Sequence, residues 1–83
     1  MNLLDYKFTW RYGIKAKFDR FPGSTVIFRP IKGYYYVYTV DWSVMDPVVT
    51  KADLEKMGLL INIELGLEKG YLNRKSNTDR TPE

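Results

Sequence analysis

The chain has 83 residues and a net charge of +3, and it contains neither cysteine nor histidine. A chain this short forms one small domain, and the missing residue types exclude disulfides, thiolate metal sites and the usual general base. The ten acidic residues form no recognisable acid–base motif, and no glycine-rich phosphate-binding loop is present. We therefore predict a protein that is not an enzyme and has no cofactor and no metal site.

The positive charge is concentrated in the first half of the chain. Residues 1–42 hold seven Lys or Arg against three Asp, whereas residues 43–83 hold six Lys or Arg against seven Asp or Glu. The aromatic half of the chain is therefore also the basic half. Such a combination suits a nucleic acid or an acidic protein partner.

No targeting or membrane segment is evident in the sequence. Residues 1–5 lack the basic and long apolar regions of a signal peptide. No apolar run approaches the length of a membrane span. We expect a cytoplasmic protein with no membrane partner.

Residues 5–19 alternate between apolar even positions and mostly polar odd positions. This period of two predicts one long strand at about 5–19, bent or bulged at Gly13. A three-residue loop at Tyr12–Ile14 would also keep the two faces matched, so a hairpin is the alternative.

Two turns and two further strands follow. The stretch Phe21-Pro22-Gly23-Ser24 predicts a turn, since proline presets its own φ and glycine accepts a positive one. A strand at about 25–29 comes next, and a second turn at 30–33 leads to the tyrosine-rich run at 34–42. Aromatic and β-branched residues fill this run, which is typical of a strand well inside a sheet.

If both turns are four-residue loops, directly opposed residues define two sheet faces. The expected core face carries Phe18, Ile27, Tyr36, Tyr38, Val40 and Trp42. The second face carries Val26, Phe28, Tyr35 and Val37, with Lys15, Lys17 and Arg11 beside them. This second face is either covered by a helix or exposed as an aromatic patch with a basic border.

The capping-box spacing of Thr50-Lys51-Ala52-Asp53 predicts a short helix at about 50–57. Gly58 is expected to end this helix as a left-handed C-cap. Residues 59–67 then fit a strand, because apolar residues occupy alternate positions, or a longer helix.

A third interpretation of this region comes from the run Ile61–Arg74. It contains Leu65-Gly66-Leu67 and continues with Tyr71-Leu72-Asn73-Arg74. The run resembles a helix-turn-helix of the arabinose-regulator type, with the glycine at the turn and Tyr71 opening the recognition helix. The resemblance implies that this segment binds duplex DNA.

These patterns together predict a small single α+β domain over residues 1–72. It has an antiparallel β-sheet of three to five strands, at about 5–19, 25–29, 34–42 and, in one interpretation, 59–67, with one short helix at about 50–57. Residues 73–83 lack large apolar side chains and are expected to form a polar C-terminal tail.

Two function hypotheses follow. In the first, the protein is a small non-catalytic protein-binding module, in the form of a phage or mobile-element inhibitor that blocks a host protein or nucleoprotein surface. Its expected partner-binding residues are Arg11, Lys15, Lys17, Phe28, Tyr35 and Val37. In the second, the basic sheet face binds nucleic acid by stacking bases on Phe28 and Tyr35. A C-terminal helix-turn-helix is a further form of the second hypothesis.

Overall fold

Within residues 1–73, four antiparallel strands joined by short connections form one sheet, and a long helix packs against it. The computed structural model describes residues 1–73. The strands lie side by side in chain order, with a 3-10 turn between the first two and helical turns at 68–73. The elements are β1 (Leu3–Phe8), β2 (Ile14–Phe18), β3 (Phe21–Ile31), β4 (Tyr34–Asp41) and α1 (Lys51–Glu64). The predicted α+β class with an antiparallel sheet is confirmed. The predicted tail lies outside the described residues apart from Asn73.

The predicted long strand at 5–19 is wrong, because the chain folds back on itself as a β1–β2 hairpin. Arg11 and Tyr12 adopt left-handed backbone angles, with φ of 61° and 64°. The Thr9 N–H then donates to the Gly13 carbonyl oxygen at 2.7 Å and closes the loop. Phe8 pairs with Ile14, so even-numbered residues stay on one face in both strands. The alternation in the sequence is therefore the same for a single strand and for this hairpin.

The predicted turn at Phe21–Ser24 is also wrong, since the chain reverses three residues earlier. Phe18 pairs directly with Phe21, which leaves Asp19 and Arg20 as the turn. Pro22 is tolerated because it lies near the start of β3, where a missing ladder hydrogen bond costs little. The Gly23 N–H donates to Asp46 Oδ2 at 3.0 Å, which ties this end of the strand to the connector after β4.

Helix α1 covers one face of the sheet, and the core lies between them. The buried apolar side chains are Ile14, Ala16, Phe18, Phe21, Val26, Phe28, Tyr35, Met57 and Ile61. The second predicted face, with Val26, Phe28, Tyr35 and Val37, is therefore covered by a helix. This was one of its two predicted alternatives. Tyr36, Tyr38 and Trp42, which were expected in the core, are exposed.

The helix begins as the sequence predicts. The Asp53 N–H donates to Thr50 Oγ1 at 3.1 Å, and the Thr50 N–H donates to Asp53 Oδ2 at 2.9 Å. These two bonds form a reciprocal capping box that satisfies two N–H groups at the helix start. Arg20 Nε lies 3.8 Å from Asp53 Oδ1 and links the β2–β3 turn to this cap.

The helix does not end at Gly58 but continues to Glu64. A Cβ at Gly58 would lie 2.5 Å from the Tyr71 hydroxyl oxygen, so glycine allows close packing here rather than a left-handed cap. The strand predicted at 59–67 is therefore wrong, because Met57 and Ile61 lie one helical turn apart on the buried side. The turn falls where the helix-turn-helix interpretation put it, with Gly66 at φ 76°. No helix within residues 1–73 is long and apolar enough to cross a membrane.

Candidate binding site at the open sheet edge

The structure divides the six predicted partner-binding residues among three places. Phe28 is completely buried and Tyr35 nearly so, and Val37 packs against the same core. The exposed side chains of Lys15 and Lys17 lie on the outer face, defined here as the sheet face opposite α1. Arg11 lies at the tip of the β1–β2 hairpin. The predicted joint surface of these six residues is therefore not formed.

Within residues 1–73, strand β4 is an open edge of the sheet. It is the last strand in the sheet order and runs for eight residues, and its segment from Tyr34 to Val40 contains no charged residue and no proline. The opposite edge, β1, is shorter, carries Asp5 and Lys7, and has an irregular register after Leu3. Charges and bulges are the devices that protect an edge strand from pairing with another chain. By this standard β1 is protected. Strand β4 has one irregularity, because its pairing with β3 skips Tyr38, but its segment from Tyr34 to Val40 has no protective charge.

One residue of the β4 edge is capped by a side chain. The Tyr35 N–H donates to Asn62 Oδ1 at 2.8 Å, and Asn62 Nδ2 donates to the Tyr35 carbonyl oxygen at 2.9 Å. Asn62 therefore supplies the bonds that a neighbouring strand would supply. Alternate residues of an antiparallel strand direct their backbone polar groups to the same side, so Val37 presents its N–H and C=O to the open edge as well. Within residues 1–73, no side chain bonds to the β4 backbone between Tyr36 and Val40.

A groove of about 550 Å³ runs between this edge and helix α1. Aromatic and aliphatic side chains dominate its walls, chiefly Ile31, Tyr34, Tyr36, Tyr38, Val40 and Leu54. Lys51 and Glu55 supply charge on the helix side. The Tyr34 and Tyr71 rings, edge to face with centroids 6.0 Å apart, also line it. An apolar groove beside unpaired backbone groups is suited to an extended peptide.

The hairpin tip exposes two aromatic side chains beside a second cleft. Trp10 is 80% exposed and Tyr12 is 78% exposed. The Tyr35 hydroxyl donates to the Tyr12 carbonyl oxygen at 2.9 Å and holds the tip. Burial raises the pKa of the Tyr35 phenol. The cleft has a volume of about 540 Å³, and Trp10, Arg11, Arg29 and Tyr36 contribute to its walls.

The outer face carries charges of both signs. Lys7 lies directly opposite Lys15, which is an unfavourable pairing of like charges. Lys17 donates to Thr25 Oγ1 at 3.3 Å, and a shallow cavity of about 320 Å³ between these strands also includes Asp5 and Asp41 among its walls. Within residues 1–73, no three His, Cys, Asp or Glu side chains come together as a metal site requires.

The fold and these surfaces define a small α+β domain with one covered sheet face and one open sheet edge. A family model described as "Uncharacterised protein YuzH" matches residues 2–76, and the chain belongs to this family. Neither a curated protein nor a solved structure matches the chain.

Sequence reasoning missed Asn62 and Arg29 as residues of this region. Asn62 gave a signal, because it is the one polar residue between Leu59 and Ile63 in an apolar run. A single polar residue on a buried helix face requires hydrogen-bond partners, and here the partners are backbone groups of an edge strand. Arg29 gave no comparable signal, since its place beside the edge depends on the register of β3 and β4.

Proposed function

We propose that this protein is a non-catalytic module that binds a protein partner by adding an extended segment of that partner to strand β4. The open β4 edge beside an apolar groove is the observation that carries the proposal. In this mode of recognition, main-chain hydrogen bonds supply affinity and the pockets for alternate side chains supply specificity.

The two edges of the sheet differ in a way that supports a role for β4. An open, apolar edge is a hazard for aggregation, and natural proteins protect such edges. Here β1 has the protective charges of Asp5 and Lys7, whereas β4, within residues 1–73, has a side-chain cap at Tyr35 and an irregularity at Tyr38. An edge left open beside a groove is explained if a partner fills both. A module that occupies an extended segment also hides it from other proteins, and we propose the inhibitory role on this basis.

Nucleic-acid binding is the second candidate, and one observation favours it. Lys7, Lys15 and Lys17 lie close together on the outer face. However, Asp5 and Asp41 lie beside them. The aromatic residues that were expected to stack on bases are buried in the core. Tyr71, which was expected to open a recognition helix, is buried beside Gly58. The balance of these observations favours a protein partner.

The experiment compares two variants at the same position of β4. Val37→Pro removes the N–H that faces the open edge, and Val37→Ala removes a similar part of the side chain but keeps the N–H. Each variant is immobilised and used to capture partners from lysate with and without nuclease treatment. We expect wild type and Val37→Ala to retain a specific protein and Val37→Pro to lose it.

Amide hydrogen exchange on the captured complex then locates the contact. We expect slower exchange at residues 36–40 of β4 and unchanged exchange in β1. Equal capture by Val37→Pro and Val37→Ala would contradict strand addition, and so would protection confined to the outer face of β2. Loss of all captured material after nuclease treatment would favour the nucleic-acid candidate instead.

A further inference from the structure

The guanidinium of Arg29 lies beside the open edge. Arg29 belongs to β3, and its guanidinium carbon lies 3.7 Å from the centroid of the Tyr38 ring, on the neighbouring edge strand. The side chain therefore lies over the edge strand, beside the position that an added strand would take. Within the described part of the chain, Arg20 and Asp53 form an ion pair, whereas Arg29 has no carboxylate partner.

A second guanidinium is held at the strained hairpin tip. Arg11 and Tyr12 both have left-handed φ angles, which are unfavourable for residues other than glycine. The bonds from Tyr35 to the Tyr12 carbonyl and from Thr9 to Gly13 maintain this conformation. As a result the Arg11 guanidinium carbon lies 4.4 Å from the Trp10 ring centroid, with both side chains facing solvent.

The two guanidinium groups line one cleft, and this cleft has the Tyr36 side chain in common with the β4 groove. Arg11 and Arg29 both line the 540 Å³ cleft, and Tyr36 lines this cleft as well as the groove between β4 and α1. A segment bound along β4 can therefore place side chains in the cleft by crossing Tyr36. Stacking on aromatic rings restricts each guanidinium to few orientations before a ligand arrives.

Resting on the proposed strand addition, we infer that the partner's bound segment is an acidic peptide whose carboxylates bind Arg11 and Arg29 in this cleft. Planar guanidinium groups bind carboxylates in a bidentate manner, with paired N–H donors. Peptide rather than nucleic acid is favoured because the open backbone of β4 matches a main chain.

Three synthetic decapeptides test this inference on the full-length protein. In each, valine alternates with a second residue type, which is glutamate, glutamine or lysine. The affinities are measured by isothermal titration calorimetry for wild type, Arg11→Gln, Arg29→Gln and the double variant. Lys56→Gln on the exposed side of α1 removes one positive charge away from the cleft and is the matched control. Thermal unfolding confirms that each variant is folded.

We expect wild type and Lys56→Gln to bind the glutamate peptide about tenfold more tightly than the glutamine peptide, and the lysine peptide most weakly. The double variant should bind the glutamate and glutamine peptides equally. Equal binding of these two peptides by wild type would overturn the acidic preference and leave strand addition standing. Failure of all three peptides would contradict both proposals. Tighter binding of a single-stranded oligothymidylate that depends on Arg11 and Arg29 would overturn the peptide assignment in favour of nucleic acid.

Discussion

Asn62 bonds to both backbone polar groups of Tyr35, at 2.8 Å and 2.9 Å, and so replaces a neighbouring strand at one residue of β4. The same amide group donates a further bond to the Gly58 carbonyl oxygen at 2.6 Å. Asn62 is completely buried, so water does not compete for these bonds. One helix side chain thereby fixes where α1 lies along the sheet and where the open part of the edge begins.

Replacement of Asn62 by leucine should therefore be strongly destabilising. The substitution keeps a similar volume but leaves the Tyr35 N–H and C=O without partners in the core. We expect the free energy of unfolding to fall by about 2–4 kcal/mol, measured by urea denaturation. Asn73→Leu, at an exposed position, is the control and should change stability by no more than about 0.5 kcal/mol. Similar losses for both variants would show that the Asn62 bonds contribute little.

The sequence predicted the strands better than the connections between them. The alternation of apolar and polar residues identifies a strand, but it does not fix where the chain turns. Phe28, Tyr35 and Val37 were placed together on one face of β3 and β4, and the structure agrees. The expected turn after Phe21, however, would have paired Phe18 with Ile27, whereas Lys15 pairs with Ile27. The predicted register of β2 against β3 is therefore wrong by three residues.

An odd offset exchanges the two faces of one strand relative to the next. The predicted register therefore placed the lysines of β2 on the same face as the apolar residues of β3. For this reason the sequence predicted a basic aromatic patch that the fold does not contain. The apolar residues on the even positions of β2 instead join Phe28 under the helix. The candidate site at the β4 edge could not be predicted either, since strand order and the reach of Asn62 depend on tertiary structure.

The two tryptophans should report a surface environment. Trp10 is 80% exposed, and Trp42 is 43% exposed although its Nε1 donates to the Pro47 carbonyl oxygen. We expect Trp10→Ala to change the free energy of unfolding by no more than about 0.5 kcal/mol. Phe28→Ala should cost about 3–5 kcal/mol, because it leaves a cavity in the core. Fluorescence emission should lie near that of solvated indole and move little on unfolding. A blue-shifted native spectrum, or a large cost for Trp10→Ala, would contradict the exposed tip.

The helix cap should make stability depend on pH in acid. The hydrogen bond from the Thr50 backbone, helped by Arg20, holds the pKa of Asp53 below its ordinary value of 3.8. A carboxyl group with a lowered folded pKa stabilises the native state above its unfolded pKa, and this contribution is lost as the pH falls through the folded value. The stability advantage of wild type over Asp53→Asn should be constant from neutral pH to about pH 5 and shrink below about pH 4. Urea denaturation across this range measures it, and a difference that does not vary with pH would contradict the assignment.

Gly58 and Tyr71 should show strong coupling, because helix propensity and packing oppose each other at this contact. Alanine in the middle of a helix is more favourable than glycine by about 1 kcal/mol. In this fold, however, a Cβ at Gly58 would lie 2.5 Å from the Tyr71 hydroxyl oxygen and 2.9 Å from the ring carbon that bears it.

The Tyr71 ring cannot move away at little cost, since its hydroxyl donates to the Glu55 carbonyl oxygen at 3.2 Å and its edge packs on Tyr34. We therefore expect Gly58→Ala to destabilise the wild-type protein. In a Tyr71→Ala background, the same substitution should stabilise the protein by up to about 1 kcal/mol. A double-mutant cycle of urea denaturation measures the coupling. A stabilising Gly58→Ala in both backgrounds would mean that Tyr71 does not pack over α1.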